Sequence, residues 1–234
     1  MVPITFAHRG GRAGAPENTV PAFRRALELG ATGLESDCRL SADGEVVLIH
    51  EGTIRQGLRR ARVAALPAAR LAELRIPRLT DLYAELGAGF ELSLDLKDPR
   101  AAGPVLKVAR AHGGERRLWL CSGDLEVLRR VRELDGDVRL VHSLRRRAYG
   151  DALEGHAAAL AREGVAALNF RETEWSLGLV ALTHRFGVLA FAWDAQEARR
   201  LRALLAMGID AVYSDHVERM VGTVGEWAGG AGTA

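Results

Sequence analysis

His8-Arg9-Gly10 near the amino terminus is followed by Glu35-x-Asp37 and then by His50, so two imidazoles, a guanidinium and two carboxylates fall within the first 50 of 234 residues. Each stands at or just beyond a short apolar run. Cleavage of a phosphodiester calls for such a set. The anionic ester needs its charge neutralised, and protons must move to and from the attacking and leaving oxygens. A divalent cation held by carboxylates does the first, and histidines do the second. In an extended strand, residues two apart share a face, so Glu35 and Asp37 project together while Ser36 and Cys38 point away. One hard cation can then meet both carboxylates.

Such groups need a scaffold that gathers them. The chain alternates short β-like runs with amphipathic helical stretches, the pattern of parallel strands joined by helical crossovers. Strands are expected over residues 4–7, 33–39, 90–96, 118–122, 138–142, 165–169, 188–193 and 211–214. Helices are expected over 19–29, 79–86, 104–111, 124–134, 152–162, 176–186, 195–207 and 216–227, with Gly30, Gly136, Gly164, Gly187 and Gly208 as stops. Residues 46–49 follow Asp43-Gly44 too closely for a crossover and read as the returning arm of a hairpin. Eight strand-helix units predict a closed (β/α)8 TIM barrel, with a short hairpin and a small arginine-rich insertion (51–77) after the second strand. Its active site belongs at the carboxyl ends of the strands, where His8, Glu35, Asp37, Asp95, Lys97, Ser122, His142, Asn169, Trp193 and Asp215 stand.

Composition bounds the partners. A 48% hydrophobic chain of this length supports one large core, and a net charge of +2 does not demand a nucleic-acid partner. The basic clusters Arg55 to Arg62 and Arg145 to Arg147 read as solvated faces. Cys38 and Cys121 fall inside predicted strands and read as buried reduced thiols, which points to the cytoplasm. No stretch is apolar enough for export or for stable membrane insertion. His112, His156, His184 and His216 fall away from the expected rim and read as exposed. Asn18 reads as a cap of the first helix, Glu17 as a support behind a catalytic group, and the glycines of Gly10-Gly11-Arg12-Ala13-Gly14 as serving a turn. Asn169, His142 and Trp193 are candidates to line the pocket, Trp193 by packing on glycerol or a head group.

His8-Arg9-Gly10, Pro16-Glu17-Asn18-Thr19 with Ala22-Phe23, Gly30-Ala31, Glu35-x-Asp37, Asp43-Gly44 and the valine-containing arm ending in His50 form an ordered series. Ile76-Pro77-x-Leu79, Asp95-Leu96-Lys97, Cys121-Ser122, Ala192-Trp193 and the run from Gly208 to Asp215 continue it. The series resembles the glycerophosphodiester phosphodiesterase family over residues 1–228, leaving a glycine-rich tail of 229–234. The resemblance implies hydrolysis of a small-molecule glycerophosphodiester to sn-glycerol 3-phosphate and an alcohol, with Mg²⁺ or Ca²⁺ as cofactor. It implies His8 and His50 as general acid and base, Glu35, Asp37 and Asp95 as metal ligands, and Arg9 and Lys97 as phosphate-binding groups. The sequence departs from the family where Asp95 replaces a glutamate, Glu51 an aspartate and Asp194 a threonine. Two alternatives stand beside this reading: a lysophospholipase D acting on lysolipids, and a catalytically weak phosphate-binding barrel. The head group, the preferred ion, the identity of the nucleophile (water or a glycerol hydroxyl) and the oligomeric state stay open.

Overall fold

Strand β1 (Ile4–His8) leads into a tight glycine turn and helix α1 (Val20–Glu28), which Thr19 caps by accepting from the Ala22 N–H at 3.4 Å. The computed structural model describes residues 2–56, 59–146 and 152–231. Strand β2 (Gly33–Leu40) turns at Gly44, whose φ of 81° suits the turn, and returns antiparallel as β3 (Val46–Leu48). This is the predicted hairpin.

The insertion then forms a second hairpin, β4 (Thr53–Gln56) with β5 (Arg59–Arg62), and a short helix α2 (Ala68–Glu73). Sequence reading assigned these residues no elements, because exposed arginines mask the strand alternation. Val47, Val63, Ala68 and Leu71 pack as a small separate core beneath it.

Helix α3 (Leu79–Leu86), β6 (Glu91–Leu96), α4 (Ala102–Ala111), β7 (Leu118–Ser122), α5 (Leu125–Leu134) and β8 (Arg139–Ser143) follow. Then come α6 (Leu153–Arg162), β9 (Ala167–Arg171), α7 (Leu177–Arg185), β10 (Leu189–Trp193), α8 (Ala198–Met207), β11 (Ala211–Ser214) and α9 (Val217–Ala231). Among the described residues, eight parallel strands close in the order β1-β2-β6-β7-β8-β9-β10-β11, with β1 paired to both β2 and β11. The predicted TIM barrel is therefore observed.

The barrel has a core on each side of its wall. Inside, Phe6 stacks on Tyr213 at 4.7 Å and Trp119 meets Phe191 edge-on at 5.1 Å, so aromatic rings fill the lumen and form a floor. Outside, helices bury one stripe each, as α8 does with Leu201, Leu204 and Leu205 before Gly208 ends it at a φ of 85°.

Several expectations need correction. Helix α9 continues to Ala231, past the expected start of the tail and through Gly229 and Gly230; residues 232–234 lie outside those described, as does Arg147. His156 is buried rather than exposed, its Nε2 lying 3.2 Å from His142 Nδ1 between α6 and β8. His112 and His216 are half-buried, His112 stacking on Tyr83, whereas His184 is exposed as expected, with Nε2 2.7 Å from Asp210 Oδ2. Cys38 and Cys121 are free and buried, as expected.

Candidate active site

Strand register brings the distant groups together. His8 pairs with Glu35 across β1 and β2, and Asp37 pairs with Asp95 across β2 and β6, so these side chains leave the barrel at nearly one level. The Ile49 N–H donates to the Asp37 carbonyl at 2.9 Å, which carries the next residue, His50, to the same rim. Arg39 donates twice to the His50 carbonyl, at 2.9 and 3.1 Å, and anchors that backbone. His8, Arg9, Glu35, Asp37, His50, Asp95, Lys97, Asn169 and Trp193 line one pocket of about 450 Å³ at the carboxyl ends of the strands, whereas Glu17, Ser122, His142 and Asp215 do not. A larger cleft of about 690 Å³, near Leu106, Arg116 and Asp137, gathers no imidazole.

His8 is held from behind. Its Nδ1–H donates to Asp215 Oδ1 at 2.7 Å, which leaves Nε2 towards the pocket, 3.8 Å from Glu35 Oε2. Gln196 in turn fixes Asp215, donating to Oδ2 at 3.2 Å and accepting from the Asp215 N–H at 2.9 Å. Burial lowers the His8 pKa, but Glu35 and Asp215 outweigh it and hold the imidazole above its ordinary value. His50 is more exposed, with Nδ1 lying 3.1 Å from Glu51 Oε1.

The cations are spread over the carboxylates. Lys97 Nζ lies 2.7 Å from Asp95 Oδ2 and 3.2 Å from Asp37 Oδ1. Arg9 reaches Asp37 Oδ2 with Nε at 3.1 Å, an ion-pair distance without hydrogen-bond alignment, and Glu17 with Nη1 at 3.2 Å. Glu17 also holds Arg12 at 2.6 Å, so it pairs with two arginines that line the pocket without lining it itself. The Arg9 backbone is left-handed at a φ of 50°, and its N–H donates to Glu35 Oε2 at 3.0 Å. Gly11 permits this turn: at a φ of 90°, an added Cβ would lie 2.6 Å from Val217 Cγ2.

The donor chemistry suits a hard divalent cation. Burial and the like charges of Asp37 and Asp95 push the Glu35 pKa up to about 7, against the opposing pull of His8 and the Arg9 N–H. Burial and Asp37 likewise raise that of Asp95, despite Lys97. Three carboxyl groups that repel one another in a dry pocket gain most from a shared cation. Among the described residues no three carboxylate, imidazole or thiol groups stand close enough to hold a metal as placed, and Lys97 Nζ lies between Asp37 and Asp95.

Other residues differ from expectation. Asn18 does not cap α1; at a φ of 55° it is buried, and its Oδ1 accepts from Ser36 Oγ at 2.7 Å, tying the α1 approach to β2. His142 does not line the pocket; its Nε2 lies 3.2 Å from the Gly123 carbonyl. Asn169 and Trp193 do line it, Asn169 donating to Ser143 Oγ at 3.0 Å. Cys121 and Ser93 complete the floor, with burial pushing the Cys121 thiol pKa up so that it stays neutral. Sequence reading placed Asp215 at a strand end without a role. It lies 207 positions from His8 with no local signal linking the two, and the pairing of β1 with β11 brings them together.

Comparison with known proteins agrees with this geometry. The profile of the Glycerophosphoryl diester phosphodiesterase family matches residues 8–219. A glycerophosphodiester phosphodiesterase from Caldanaerobacter subterraneus subsp. tengcongensis is 25% identical, over 96% of this chain and 98% of its own. The glycerophosphodiester phosphodiesterase of Thermotoga maritima superposes with a TM-score of 0.83 at 25% identity, covering 94% of this chain and 97% of that one. An Oleispira antarctica phosphodiesterase, solved in complex with the product sn-glycerol-3-phosphate, superposes with a TM-score of 0.81 at 22% identity, covering 95% and 97%. The chain belongs to the glycerophosphoryl diester phosphodiesterase family and is an enzyme of that kind, a phosphoric diester hydrolase.

Proposed function

We propose that this chain hydrolyses small-molecule glycerophosphodiesters to sn-glycerol 3-phosphate and an alcohol. The observation that carries this reading is the convergence of His8, Glu35, Asp37, His50, Asp95 and Lys97 on one pocket. The product bound by the Oleispira antarctica relative supports the same substrate class. A divalent cation such as Mg²⁺ or Ca²⁺, held by Glu35, Asp37 and Asp95, would supply polarisation of a phosphoryl oxygen.

The side chains supply the rest. Arg9 and Lys97 offset the negative charge of the phosphoryl group, and Trp193 packs against the organic part of the substrate. One of His8 and His50 removes the proton from the nucleophile, which is water or a glycerol hydroxyl whose cyclic phosphate water then opens, and the other protonates the departing alkoxide. The tie from His8 to Asp215 keeps Nε2 aimed at the pocket and sets its tautomer. No helix among the described residues is long and apolar enough to cross a membrane. The two free buried thiols support a cytoplasmic setting.

The test is a panel of glycerophosphodiesters and a lysophospholipid, assayed for glycerol 3-phosphate release with Mg²⁺, Ca²⁺, Mn²⁺ or chelator. Release from the short diesters with metal and none in chelator supports the reading. Preference for the lysolipid, or no release from any diester, overturns it.

A further inference from the structure

The β8–β10 side of the pocket differs from the side that holds the carboxylates. Tyr213 and Trp193 both line the pocket, but Tyr213 is 3% exposed and stacked on Phe6, so Trp193 presents the more accessible ring. That ring already carries a cation: the Arg145 guanidinium lies 4.7 Å from its centroid. Arg145 stands just past β8, is exposed and meets no carboxylate among the described residues, so none of those cancels its charge. The neighbouring Arg171 is matched by Asp194 at 3.3 Å and adds little net charge.

Polar atoms on this side are also left without partners. Ser143 Oγ satisfies one terminus of the Asn169 amide and leaves the other unpaired, although this side chain is 5% exposed. Trp193 Nε1 and Arg171 Nε likewise have no partner among the described residues. Buried polar groups of this kind call for a complementary group. A hydroxyl can donate to an amide oxygen and accept from an indole or guanidinium N–H, whereas a trimethylammonium can do neither. Cationic head groups gain from an open aromatic face, and here a guanidinium occupies one face of the Trp193 ring.

We propose that this side of the pocket, with Arg145 as its selecting charge, favours an uncharged, hydroxyl-bearing alcohol such as glycerol or inositol over choline or ethanolamine. The proposal rests on the hydrolase reading above and specifies its substrate class. The glycerol phosphate half offers the same hydroxyl chemistry, but it is common to every diester, so a head-group panel isolates the leaving alcohol.

The experiment measures kcat/KM for glycerophosphoglycerol, glycerophosphoinositol, glycerophosphoethanolamine and glycerophosphocholine with wild type and Arg145→Gln. Calorimetric binding of the same diesters in chelator runs in parallel. Wild type should prefer the polyol diesters about 10-fold, and Arg145→Gln should narrow the ratio to about 2-fold. Arg145 is exposed in a loop, so its replacement leaves the fold intact. Equal or better use of the choline diester by wild type, or an unchanged ratio in the variant, overturns the proposal while leaving the hydrolase reading in place. Absence of all turnover overturns the hydrolase reading; the calorimetric order then decides the head-group proposal, and equal or undetectable binding of all four diesters rejects it.

Discussion

His8 Nδ1 and Asp215 Oδ1 lie 2.7 Å apart, joining the first barrel strand to the residue after the last. Asp215 holds the ring, selects its tautomer and, together with Glu35, raises its pKa against the effect of burial. Asp215→Asn removes the charge while keeping the shape. The limb of the kcat/KM pH profile that belongs to His8 should then move to lower pH, and turnover should fall on the order of 10-fold or more. A profile that keeps its wild-type limbs would show that Asp215 does not act on His8.

The two imidazoles should be needed separately. His8→Ala and His50→Ala should each reduce kcat on the order of 10²-fold or more, the usual contribution of general acid-base catalysis. Both residues stand at the pocket rather than in the apolar core, so the melting temperature should shift little. Retention of full activity on a cleaved diester by both variants would rule out their proposed roles.

Much of this arrangement was legible in the chain. The alternation of apolar runs and helical stripes marks eight strand-helix units, and the barrel places their carboxyl ends at one rim. The two-residue spacing of Glu35 and Asp37 aims them together, and β-pairing then sets Asp95 beside Asp37. The roles of Asp215 and Asn18 were not legible, because each acts through a contact made by tertiary structure: Asp215 with His8, and Asn18 with Ser36. The β4–β5 hairpin escaped for a different reason. Its strands bury little, so the polar-apolar alternation that identifies a strand is weak in Arg59–Arg62.

The buried carboxylates should carry a stability cost. Glu35 has a folded-state pKa of about 7, above its ordinary 4.5, so the fold binds its proton more tightly than the unfolded chain does. The sign follows: this group's contribution favours the fold below about pH 4.5 and is lost as pH rises through about 7. Glu35→Gln keeps an acceptor for the Arg9 N–H and removes the charge. At pH 8 it should gain about 1–3 kcal/mol of unfolding free energy in urea while losing activity. Added Mg²⁺ should raise the melting temperature of wild type more than that of the variant. A variant less stable than wild type at pH 8 would contradict this account.

His142 and His156 should set the acid limit of the fold. Burial lowers both pKa values, and the neighbouring His142 ring helps bring that of His156 down to about 4. An unfolded histidine takes up a proton near its ordinary 6.5, whereas folded His156 does not until about 4. Between these values the unfolded chain binds more protons, so stability is intact above about pH 6.5 and declines as pH falls towards 4. His156→Gln retains a hydrogen-bonding side chain that does not titrate. It should reduce the fall in unfolding free energy between pH 6 and pH 5 by up to one proton's worth, about 1.4 kcal/mol per pH unit. Urea unfolding at the two pH values measures this directly, and an acid slope equal to that of wild type would place the pH sensitivity elsewhere in the barrel.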